Sequence, residues 1–195
     1  MNGRPLPVNH GFPIRIIAPG IAGARSVKWL DRITVQTTES KNIYQQYDYK
    51  IFPPEATNNE AAKKHFHMTP AIQDMPVNSV IAVPQSGETL SSSSHIVVEG
   101  YALPQGDQGP VTKVEVSIDD GESWINATIV DAIGDRGKWC WTLWKTMVIL
   151  KKGEDRCILS RATDAGGNVQ CACPQWNLRG VAYDGYGDAR NLKVT

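Results

Sequence analysis

The chain has 195 residues, 41% of them hydrophobic and 21% charged, with twenty Lys and Arg against twenty Asp and Glu for a net charge of zero. That length holds one substantial core, or one domain and a piece of another. The balance supplies no global field for a nucleic acid or a membrane surface, and no apolar run approaches the ~20 residues of a membrane-spanning helix.

The charge is nevertheless segregated. Residues 1–50 hold seven basic groups (Arg4, Arg15, Arg25, Lys28, Arg32, Lys41, Lys50) and three acidic ones, so a head of +4 precedes a body of −4. A basic head on an acidic body points to a local anion site. Within it, "HGFPIR" and "SVKW" flank the glycine-rich run "PGIAGAR". The segments "IRIIAP" and "RITVQTT" are rich in β-formers and predict strands, with "GIAGARSVKWL" as the turn-rich segment between them. No helical periodicity is long enough to close a core here, so a fifty-residue piece of this kind is not stable alone. Residues 52–77 are proline-bounded, polar and aperiodic, and read as a connecting arm with one helical turn at Glu60 to His65. His65 and His67 in that arm have no carboxylate or cysteine arranged beside them and read as solvated loop histidines.

From Asn78 the texture changes to short strands punctuated by turns. "SVIAVP" and "HIVVEGYAL" flank "QSGETLSSSS", and Val114, Val116 and Ile118 alternate with polar residues before the turn "DDGESW", after which "INATIV" returns as a hairpin. "KWCWTLW" places Trp139, Trp141 and Leu143 on one face and Cys140, Thr142 and Trp144 on the other. "RCILSRATD" supplies another strand and "NLKVT" closes the set. Many short strands with almost no helical pattern predict a mainly β protein, with a β-sandwich of immunoglobulin type over residues 78–195. Five of the six tryptophans (Trp124, Trp139, Trp141, Trp144, Trp176) fall in that region, divided between core packing and an interface. Cys140, Cys157, Cys171 and Cys173 lack zinc-knuckle spacing and read as ordinary thiols.

The motifs "MNGRPLPVNHGFPIRIIAPGIAGARSVKWLDRITVQTTES", "DYKIFPP", "VEVSIDDGESW", "KWCWTLW" and "WNLRG" resemble, in the same order, those of the eukaryotic sulfite oxidase family and the related assimilatory nitrate reductases. The resemblance spans nearly the whole chain. It implies that residues 1–51 are the tail of an α+β molybdopterin-binding domain and that residues 78–195 are an immunoglobulin-like (E-set) Mo-co dimerisation domain. It further implies a molybdenum-molybdopterin cofactor, with His10, Arg15, Ser26, Val27 and Lys28 contacting it. Gly11, Gly20 and Gly23 would let the backbone approach, because a terminal phosphate needs fixed positive charge and close N–H donors. By the same resemblance Arg179 of "WNLRG" holds a sulfite or sulfate anion, a position generally uncharged in plant nitrate reductases. A guanidinium suits an oxyanion through its directed, permanently charged fork.

The implied chemistry is oxidation of sulfite to sulfate by oxygen-atom transfer at molybdenum, in a homodimer, with a cytochrome or dioxygen as electron acceptor. The compartment implied by the family is mitochondrial or peroxisomal, and the chain carries neither a targeting pattern nor a haem domain. The molybdenum-ligating cysteine is expected upstream of Met1, which then reads as an internal methionine of a longer protein. The segments around Arg179, "CACPQ" and "VAYDGYGDARNLKVT", depart from the family pattern. Three readings follow: the C-terminal part of a sulfite oxidase, inactive by itself; a non-catalytic dimerisation scaffold derived from it; and a nitrate reductase fragment.

Overall fold

Alternation of buried and exposed residues builds the larger part of the structure, as along Ile96–Leu103, where every second side chain from Ile96 to Ala102 is buried. The structure, a computed structural model, describes residues 3–91, 95–130 and 137–195. Ser92 to Ser94 of the "QSGETLSSSS" run and Met1 lie outside the described residues. The chain divides into two units. One comprises the residues up to Met75 together with Gln175–Ala182, and the other Pro76–Pro174 together with Tyr183–Thr195.

The second unit is a sandwich of two sheets. Its strands among the described residues are β1 (Asn78–Val83), β2 (Thr89–Leu90), β3 (Ile96–Leu103), β4 (Val111–Ser117), β5 (Ile125–Asn126), β6 (Thr128–Val130), β7 (Thr142–Val148), β8 (Gly153–Asp164) and β9 (Gly187–Val194). One sheet runs β1-β3-β7-β6 and the other β2-β9-β8-β4-β5. Every pairing is antiparallel except β2 with β9. The mainly β sandwich anticipated from the turn spacing is the observed architecture. Val98, Ala102 and Trp144 from the first sheet meet Val114, Val116, Ile158 and Leu192 from the second in one continuous core. Trp144 is its largest fully buried side chain, at 1% exposure. Gly100 is required beneath it, since a Cβ there would collide with the Trp144 ring and the Val80 carbonyl.

One sequence expectation changes here. "INATIV" is not a single returning strand, for Ile125 and Asn126 pair with β4 while Thr128 to Val130 pair with β7 of the opposite sheet. The chain switches sheets at Ala127, whose N–H still donates to the Val114 carbonyl at 2.8 Å. Such corners join the two layers of a sandwich.

The first unit has little regular structure. "IRIIAP" pairs with "SVKWL" rather than with "RITVQTT": Ile16 N donates to Val27 O and Leu30 N to Ile14 O, both at 2.9 Å. Among the described residues no backbone hydrogen bond joins 32–38 to another segment, and Val35 is 94% exposed. β propensity makes a strand only where a neighbour takes up its N–H and C=O groups. Two short helices, α1 (Ile43–Gln46) and α2 (Asn59–Ala62), start at Asn42 and Asn58, whose side chains accept from Tyr44 N and Ala61 N. The helical turn thus opens at Asn59 and ends at Ala62, earlier than the Glu60 to His65 expected. A small apolar cluster of Phe52, Ala56 and Ala62, with Phe66 and Leu178 against it, anchors residues 52–66 and the 175–182 segment. Lys50, 5% exposed, donates from Nζ to the carbonyls of Phe66 (2.7 Å) and Thr69 (2.5 Å) and so closes the loop beyond α2.

Candidate functional site

The basic head folds into a cradle. The turn Val8–His10 ends on Gly11, whose φ of 109° is left-handed. A side chain at Gly11 would lie 2.9 Å from the Lys28 Cβ, so glycine permits both the turn and the close approach of the two segments. Trp29, at a φ of 52°, locks the crossing by donating from N to Gly11 O (3.3 Å) and from Nε1 to Val8 O (2.8 Å). The short ladder between Ile14–Ile16 and Val27–Leu30 then sets Arg15 beside Ser26, Val27 and Lys28.

Within the cradle, Arg15 Nη1 donates to His10 O at 3.3 Å and Nη2 to Ser26 O at 3.5 Å, while its buried Nε has no acceptor. Ser26 Oγ accepts from Ala18 N at 3.2 Å. Lys28 Nζ donates to Asn9 O at 2.9 Å. Among the described residues neither Arg15 nor Lys28 pairs with a carboxylate. Two cations whose hydrogen bonds go only to carbonyls, with the buried Arg15 Nε left without an acceptor, fit an anion such as a phosphate. The structure therefore brings together His10, Arg15, Ser26, Val27 and Lys28.

Arg179 has a different setting. The segment Gln175–Ala182 packs within the first unit, where Leu178 lies against the Phe52 cluster. Asn177 shapes the loop: its Nδ2 donates to Val181 O at 3.0 Å and its Oδ1 accepts from Val181 N at 3.2 Å, with Gly180 at a φ of 58° between them. The loop presents Arg179, 41% exposed at the side chain, in an ion pair with Asp48. Asp48 Oδ1 also accepts from Tyr49 N at 3.0 Å. Asp48, Tyr49, Arg179 and Val181 line an open cavity of about 360 Å³.

Comparison with known proteins now bears on these two sites. The Mo-co oxidoreductase dimerisation domain matches residues 69–187, and the oxidoreductase molybdopterin binding domain matches residues 1–44. The chain belongs to the molybdenum-cofactor oxidoreductase family. The mitochondrial sulfite oxidase of Homo sapiens is 41% identical over 185 residues, covering 93% of this chain and 33% of the relative. That of Gallus gallus is 39% identical over 184 residues, covering 93% and 39%. An inducible NADH nitrate reductase of Glycine max is 37% identical over 191 residues, covering 92% of this chain and 21% of the relative. The chain thus spans about a third of the length of the sulfite oxidases it matches.

The molybdopterin-binding match covers all five cradle residues, and the dimerisation match includes Arg179. Sequence reasoning missed the residues that hold these groups in place. Asn9 acts through its backbone carbonyl, which accepts from Lys28, and Trp29 of "SVKW" donates from its backbone and indole N–H groups, roles that no residue pattern marks. Asp48 lies more than a hundred positions from Arg179, and no local motif joins the two.

Proposed function

We propose that this chain is the cofactor-phosphate cradle, anion arginine and dimerisation module of a molybdenum-cofactor sulfite oxidase. The observation that supports it most is the carboxylate-free meeting of Arg15 and Lys28 with an unpartnered Arg15 Nε. When bound, molybdenum-molybdopterin supplies the two-electron oxygen-atom transfer that turns sulfite into sulfate. Arg15 and Lys28 offset the charge of the cofactor phosphate, and His10 and Ser26 border the same hollow. Gly11 keeps the backbone close enough for these groups to act on one anion.

Arg179 holds the substrate oxyanion. Its guanidinium has donors beyond those used on Asp48, so an incoming sulfite is oriented by an already fixed fork. The paired Asp48 carboxylate keeps the hollow from becoming a strong general anion trap, which favours release of sulfate. A side chain of this kind in the "WNLRG" loop supports sulfite over nitrate as the substrate. The sandwich carries the homodimer.

The test is the molybdenum and molybdopterin content of the full gene product, beside its Arg15→Ala and Lys28→Ala variants. Each variant should retain at least tenfold less cofactor. Equal content would remove the cradle from the cofactor site. Arg179→Ala should raise the KM for sulfite with cofactor content unchanged, and an unaltered KM would remove it from substrate binding.

A further inference from the structure

Two cysteines stand two positions apart in "CACPQ", a segment that departs from the family pattern and that neither the cradle nor the Arg179 loop uses. Both belong to the sandwich unit, as do the residues that hold them. Gln170, 3% exposed, accepts from Ala162 N through Oε1 at 3.0 Å and donates from Nε2 to Gly185 O at 2.5 Å. Cys171 N donates to Asp184 O at 2.9 Å, and Cys171 bridges to Gly185. Tyr183 and Pro174 close over Gly185, where a Cβ would collide with both. Beyond this fixed point the chain bends at Ala172 and Cys173. Cys171 is half-buried, Cys173 is exposed, and both are free thiols.

We infer that Cys171 and Cys173 are a two-electron thiol pair that a hydroperoxide converts to an intramolecular disulfide. The spacing allows the bridge. A disulfide takes Cα atoms about 4.4–6.8 Å apart, and residues two positions apart reach about 7 Å only when fully extended, so the bend brings the pair within range. The surroundings set the order of events, with exposed Cys173 meeting the oxidant. Its thiolate attacks one peroxide oxygen and the O–O bond breaks. The other oxygen leaves as an alcohol, or as water from hydrogen peroxide, and Cys173 becomes a sulfenic acid. Burial and then the neighbouring Asp184 carboxylate push the Cys171 thiol up, so it stays protonated and enters second. Its sulfur attacks the sulfenic sulfur, the thiol proton passes by way of Asp184 to the departing hydroxide, and water leaves. The two thiols lose two electrons and the peroxide gains them. Exposed Cys140 and half-buried Cys157 each lack a second cysteine within a few residues and stay outside the couple.

The experiment treats the full chain with hydrogen peroxide, blocks the remaining thiols with iodoacetamide and reads the tryptic peptide 162–179 by mass spectrometry. That peptide contains Cys171 and Cys173 and no other cysteine. It should lose two hydrogens and take no label while Cys140 and Cys157 are alkylated, and dithiothreitol should return both thiols. Cys171→Ser should stop at the sulfenic acid, captured on Cys173 by dimedone. Asp184→Asn should leave the first step unchanged and slow closure at least about tenfold, so that dimedone captures Cys173 there as well. Cys173 driven to sulfinic or sulfonic acid with Cys171 still free would overturn the pair, as would bridges from this peptide to Cys140, Cys157 or a second copy. Closure in Asp184→Asn at the parent's rate would overturn the part given to Asp184.

Discussion

The two units solve the same problem, burying enough apolar surface to hold a backbone, with very different means. Among the described residues the sandwich has one continuous core of sixteen buried residues, most of them from its two sheets. Among its described residues the first unit has a cluster of three, Phe52, Ala56 and Ala62, and leaves Val8, Ile14, Ile17, Ile33 and Val35 more than half exposed. What holds the first unit is mostly directed bonds to carbonyls: Arg25 to Ile72 O and Tyr44 O, Lys28 to Asn9 O, Lys50 to Phe66 O and Thr69 O. Hydrophobic burial is non-directional and robust, whereas such bonds fix geometry with little net stabilisation each. The candidate site is therefore carried by the unit that defines directions, while the sandwich carries the mass of the core.

Breaking the core should have the largest effect. Trp144→Ala removes the biggest fully buried side chain and should cost about 3–5 kcal/mol, read as a lowered urea midpoint of the sandwich. A small shift would mean that the core is not one cooperative body. Next, Lys50→Met keeps the buried stem but strips two carbonyls of their donor, with an expected cost of about 1–3 kcal/mol. Hydrogen exchange should locate that loss in the loop of residues 63–69 with the strands of the sandwich unchanged, and faster exchange in both units would erase the contrast. Asn177→Ala should cost about 1 kcal/mol, since it removes two hydrogen bonds to Val181 from a part-buried loop. Under the sulfite reading proposed for Arg179, the variant should also raise the KM for sulfite with Arg179 intact, because the same loop carries that side chain.

The smallest effect is one of pH on the sandwich. The Ser123 hydroxyl and backbone N–H, with the Ser117 hydroxyl, hold the part-exposed Asp119 carboxyl down from 3.8 to about 2. A carboxyl lowered on folding stabilises above its unfolded value, and that contribution is lost as pH falls through its folded value. The urea midpoint of the parent should therefore fall between pH 4 and pH 2 by more than that of Asp119→Asn. Glu115 carries a second, more sheltered carboxylate: burial pushes it up, and hydrogen bonds from Arg161 and Lys113 more than offset this and hold it below its ordinary value. If Asp119→Asn tracks the parent, the bonds from Ser117 and Ser123 to Asp119 do not persist in solution.

By itself the sequence determined the sandwich. A period of two in "HIVVEGYAL" and "KWCWTLW" is a local property of a pleated strand, and Thr142 and Trp144 fall inside and Leu143 outside as that period demands. In the head, local pattern marked a basic, glycine-rich stretch in "HGFPIR" and "SVKW", while the choice of individual cradle residues came from the family resemblance. Only the tertiary structure decided what depends on distant partners. Trp144 went to the core while Trp141 and Trp176 stayed exposed, though all are the same residue type. "RITVQTT" has β propensity but, among the described residues, no ladder, because propensity supplies no hydrogen-bond partner. "INATIV" divided between two sheets, since each half follows the strand already waiting beside it. Arg179 was set by Leu178 entering the Phe52 cluster and by Asp48, contacts that close across more than a hundred residues and leave no periodic trace.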